Sequence, residues 1–101
     1  MNDAQTRKID AIYLTSKILV NNAISIIDDD LTEKQVLRSL AAHVYMQTAS
    51  MKHFLNHLAE SLRSSPGEAG PIGLMADDLA YELENLQDAA KQHGFKVGFH
   101  N

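Results

Sequence analysis

The sequence predicts an all-α protein, a small bundle of about three helices in which an N-terminal helix precedes a long helix hairpin, completed by dimerisation. Three observations carry this reading. Apolar residues recur at helical spacing through three long segments. Every Pro and Gly falls within residues 66–73 or 94–98, so the segments between them run without a breaker. The chain has 101 residues, enough for one domain but with a poor surface-to-volume ratio, which association with a second copy relieves. Residues 1–101 are therefore read as one helical domain, with residues 95–101 as an extended C-terminal tail.

The first helix is expected from about Asp3 to Ile27. Ile9, Ile12, Tyr13, Leu19, Val20, Ala23, Ile26 and Ile27 gather on one broad face at 100° per residue. Leu14 and Ile18 fall on the other side, where a helix packed on one face has no use for them. They are candidate interface residues. Asp28-Asp29-Asp30 oppose a helix dipole at its C-terminus, so they read as a turn leading to the second helix.

That second helix is expected from Glu33 to Arg63. Thr32 stands three residues before Gln35, the spacing of a capping box, and Leu31 with Val36 has the spacing of a hydrophobic staple. Its apolar stripe thins at Gln47 and Thr48. A helix this long either kinks near Thr48-Ala49-Ser50 or extends into a dimer. Residues 64–70 form the expected loop, and Pro71 suits the first turn of a third helix reaching His93. Gly94 is placed for a left-handed cap, and Phe95 for the Schellman contact that accompanies it. Val97 and Phe99 alternate with polar residues and suggest an extended segment that docks, with Val97 and Phe99 as further interface candidates.

Composition removes several function classes. The chain has no Cys, which excludes disulfide scaffolds, thiol catalysis and Cys-ligated zinc and suits a cytoplasmic location. Its start, Met1-Asn2-Asp3-Ala4, lacks the layout of a signal peptide, and no apolar run is long enough to span a membrane. The net charge is −4 and the nine basic residues are scattered, so neither a nucleic acid nor a membrane is the expected partner. No Gly-x-Ser-x-Gly elbow or phosphate-binding loop is present, and no cofactor or enzymatic activity is expected. Adjacent acids such as Asp77 and Asp78 diverge by 100° on a helix and do not converge on a substrate.

Histidines supply the remaining candidates. His53 and His57 share a helix face at i, i+4, a spacing used by helical metal sites, but Phe54 stands where the His-Glu-x-x-His pattern needs Glu. The segment from Ala42 through His43 to Ser50 resembles the phosphorelay-histidine stretch of histidine phosphotransfer domains, which are small, acidic and all-helical. That resemblance implies His43 as the phosphorylated residue. The family places Lys three residues after its histidine and Gly next, where Met46 and Gln47 stand here. The overall layout of long helix, Gly/Pro loop, second helix and Gly-Phe-Lys-Val tail is similar to that of TraM-type quorum-sensing anti-activators. The expected function is a non-catalytic interaction module that occludes a protein partner as an inhibitor, anti-activator or immunity-type regulator, working as a homodimer. The alternatives are a degenerate phosphorelay module at His43 and a metal-binding bundle.

Overall fold

A computed structural model describes residues 1–29 and 32–98. Within them the chain forms an up-down-up bundle of α1 (Asp3–Asp29), α2 (Lys34–Ser61) and α3 (Pro66–Gln92). Each helix is about 40 Å long at 1.5 Å per residue, and together they make a slab of 47 × 29 × 15 Å. The α2–α3 pair is the most extensively packed. No strand is present among the described residues.

The apolar stripes form two core clusters. At one end Val20, Ala23 and Ile27 of α1 meet Leu37, Ala41 and Val44 of α2 and Leu86, Ala89 and Ala90 of α3. Four of these are Ala, whose small side chains let the helix backbones approach closely. At the other end Leu55 packs with Ile72, Ala76 and Leu79. There α1 contributes only the half-buried Ile9 and Tyr13. Burying a side chain such as Ile27 or Leu55, both fully enclosed, stabilises the fold by about 1.5–3 kcal/mol.

Between the clusters each helix places one buried polar residue: Ser16 on α1, Thr48 on α2 and Glu82 on α3. The Ser16 hydroxyl donates to the Ile12 carbonyl one turn back. The Thr48 hydroxyl has no hydrogen-bond partner. The thinning of the second helix's stripe at Gln47 and Thr48 is thus a polar break in the core. The helix itself runs unbroken through Thr48–Ser50.

Four local expectations are corrected. α1 continues through Asp28 and Asp29 instead of stopping at Ile27, because Ile27 is packed in the core and Asp28 meets His93 Nε2 at 3.1 Å; Asp30 lies outside the described residues. Glu33, not Thr32, is the N-cap of α2, and no side chain caps the helix. The first turn of α2 is exposed on residues 32–36, so solvent can satisfy its free N–H groups. Val36 is exposed, and its staple partner Leu31 lies outside the described residues. The loop contracts to residues 62–65, since α3 begins at Pro66 with Pro71 inside it. Pro66 occupies the first turn, where its missing N–H has no helical partner. Pro71 forfeits a bond to the carbonyl of Gly67, which is exposed to water.

The C-terminal end closes as the glycine predicts. Gly94 has φ +84°, Phe95 N–H donates to the Ala90 carbonyl at 3.0 Å and Gly94 N–H to that of Lys91 at 3.1 Å, the paired bonds of a Schellman motif. Phe95 and Val97 then fold back into the first core cluster, and the Gln87 amide donates to the Val97 carbonyl at 3.3 Å. Val97 is therefore buried in the chain's own core. Phe99 lies outside the described residues.

Gly94→Ala is expected to lower stability by about 1 kcal/mol through left-handed strain. The added methyl itself meets only the flexible end of Lys34. Denaturant unfolding should show a lower midpoint at unchanged slope.

Candidate docking surface

Asp78 on α3 fastens the middle of α1. The Tyr13 hydroxyl donates to Asp78 Oδ2, Lys17 Nζ lies 3.0 Å from the same oxygen, and the Lys17 ammonium sits 5.6 Å above the Tyr13 ring. The Tyr13 hydrogen bond, followed by Lys17, holds the Asp78 carboxyl below its ordinary range against the opposing effect of burial. Burial and the Asp78 carboxylate raise the Tyr13 phenol. The Asp78 carboxylate, followed by the Tyr13 hydroxyl, raises the Lys17 ammonium. One helical span further on, Asp28 meets His93. These contacts set α1 parallel to α3.

Between α1 and α2 lies an apolar groove of about 730 Å³. α1 lines it with Ala11, Ile12, Thr15, Ser16 and Leu19. α2 supplies Met46, Gln47, Ser50 and Met51. None of these residues carries a charge. Ala11, Thr15 and Ser50 are short enough to let another backbone come close, while Met46, 60% exposed, stands as a flexible wall. Beside the groove on α1, Leu14 and Ile18 project as a ridge, 53% and 59% exposed. Charge is distributed to match. Residues 11–27 and 34–59 contain no Asp or Glu, whereas α3 holds six acids, Glu68, Asp77, Asp78, Glu82, Glu84 and Asp88.

The candidate residues sort clearly around this feature. Leu14 and Ile18 are brought together with the groove. His43 is exposed beside a shallow concavity formed by Glu33, Val36, Ser39 and Leu40. Met46 and Gln47, which stand where the phosphotransfer pattern has Lys and Gly, are groove walls. His53 and His57 are exposed, and no group of three or more His, Cys, Asp or Glu is placed to hold a metal among the described residues. No helix among the described residues is long and apolar enough to cross a membrane. Sequence reasoning missed the anchoring role of Asp78 and the part played by Met46. Tyr13 and Lys17 at i, i+4 were the available signal for a shared partner, but only the packing names it.

No known protein family, no curated protein and no solved structure matches this chain.

Two outcomes follow from the buried and half-buried polar groups. Thr48→Val replaces an unpartnered buried hydroxyl with a methyl of similar shape, and should raise the denaturant midpoint by the equivalent of about 1 kcal/mol. The Asp78 carboxyl is held lower in the folded chain than in the unfolded one. Its contribution is present above the ordinary value of 3.8 and is lost as pH falls through the folded value. The raised Tyr13 and Lys17 groups act in the other direction: their contribution is present below 10.0 and 10.5 and disappears as pH climbs through the folded values. Asp78→Asn should therefore lower the melting temperature near neutrality and flatten both the acid and alkaline limbs of a melting-temperature profile.

Proposed function

We propose that this protein is a non-catalytic interaction module, a regulator of inhibitor, anti-activator or immunity type, whose binding face is the α1–α2 groove. The observation that carries this reading is the groove itself: an uncharged apolar channel between two helices, with small residues among its lining and an exposed methionine on its wall. Such a channel suits the apolar face of a helix, which packs its ridges into the groove between two others. Interface centres are depleted of charge and enriched in Met relative to the rest of a protein surface, and these walls have both properties. A docked helix is held out of its own assembly, and that is how a small module without catalytic groups inhibits. The absence of carboxylates along both walls favours an occupant whose flanks tolerate Lys17 and the exposed histidines of α2.

The test is to fill the groove. Thr15 is exposed on its α1 wall, so Thr15→Arg should leave helix content and melting temperature unchanged. It should also abolish recovery of a stoichiometric protein partner from the native cell. Tyr81→Ala, on α3 away from the groove, should retain that partner. Equal recovery with all three forms would refute the assignment of the groove as the binding face.

A further inference from the structure

Resting on that reading of the groove, we infer that its occupant is one amphipathic helix of another protein, about three turns long, whose apolar stripe is flanked by Asp or Glu at one end. Length and shape set the first half of this inference. The α1 wall runs from Ala11 to Leu19, about 12 Å at 1.5 Å per residue. That is close to the reach of apolar anchors at i, i+4 and i+7 on a single docked helix. Phe54, 43% exposed, stands one turn beyond Ser50 on α2 and extends the apolar wall. No strand is present among the described residues to pair with an extended peptide, so the groove offers side chains and not a hydrogen-bonding edge.

Charge selects among such helices. The second core cluster sets the start of α1 beside the end of α2, with Ile9 and Tyr13 packed near Leu58 and Leu62. Exposed cations and N–H donors gather at that end. Lys8 stands one turn before Ala11 and Ile12 on the groove face of α1, and Arg7 one turn before Ala11 at its outer edge. On α2, His53 and His57 follow Ser50 at i+3 and i+7, and each imidazole donates at least one N–H. The nearest carboxylates are engaged elsewhere. Asp10 lines a recess against α3 with Gly67 and Pro71, Glu60 pairs with Arg63 at 2.9 Å, and Asp3 complements the dipole in the first turn of α1. An acidic flank therefore meets cations with no opposed carboxylate, and a basic flank is repelled. The net charge of −4 by itself favours a basic partner, so the preference of the groove runs against that of the molecule as a whole.

Two fluorescent helical peptides, titrated with the full chain, provide the test. Both carry Leu at i, i+4 and i+7; one has Glu and the other Lys at the positions flanking one end of that stripe. The Glu peptide should bind about tenfold tighter, the effect of two or three exposed ion pairs. Arg7→Glu combined with Lys8→Glu should invert the preference with unchanged helix content, since both side chains are exposed. Lys91→Glu combined with Lys96→Glu makes the same change of charge away from the groove and should preserve it. Thr15→Trp fills the groove without adding charge and should abolish binding of the Glu peptide. Binding of neither peptide, equal binding of both, a preference that the Lys91 and Lys96 substitutions also invert, or binding that survives Thr15→Trp overturns the inference. If the peptides fail in any of these ways but Thr15→Arg still loses a captured partner, the acidic-helix inference fails while the groove reading stands. If they fail and Thr15→Arg keeps every captured partner, both fail.

Discussion

The attachment of α1 to α3 combines apolar packing with two polar fastenings. A single carboxylate, Asp78, accepts the Tyr13 hydroxyl and pairs with Lys17, and a second contact joins Asp28 to His93 at the other end. Both contacts lie on the α3 side of α1. The α1–α2 side has no matching polar fastening among the described hydrogen bonds and ion pairs, and the lining there is uncharged. These half-exposed contacts are modest in strength, so most of the hold on α1 comes from the apolar cluster it shares with both other helices.

The core contributes a second constraint. Its two apolar clusters are separated by Ser16, Thr48 and Glu82, one residue from each helix. A continuous aliphatic core would tolerate sliding of one smooth helix past another. A polar level between two apolar ones penalises such a slip, because it would move hydroxyl and carboxylate groups among aliphatic neighbours. The same level costs stability through the unpartnered Thr48 hydroxyl. Specificity of register and total stability are therefore in opposition at one layer of the bundle.

Much of the fold was legible because its signals are local. Periodicity marked three helices, and Gly94 with Phe95 marked the final cap, since only glycine readily takes a φ of +84°. Local signals misled where solvent or burial decided the outcome. Thr32 and Gln35 carry a capping-box spacing, yet an exposed first turn obtains its hydrogen bonds from water. Pro71 resembled a helix start, but Pro66 was already available five residues earlier. Leu14 and Ile18 were identified as surplus apolar residues from their angular position alone, and both are exposed. Val97 was placed at an interface because alternation indicates an extended segment without indicating what covers it; the chain's own core does. The groove was not legible, since it depends on the separation of two helices 30 residues apart in sequence, which no short-range pattern encodes.

The separation of charge among the helices gives the molecule an orientation in an electric field. α3 has six carboxylates against Lys91, whereas α2 has Lys34, Arg38 and Lys52 against Glu60. The slab is 29 Å across its middle dimension, several times the screening length of about 8 Å at physiological ionic strength. A charged surface at close range therefore senses one helix at a time, not the net charge of the whole. Attraction to a cationic surface would therefore act through the exposed Asp77, Glu84 and Asp88 of α3, and would leave α1 and α2 toward the solution.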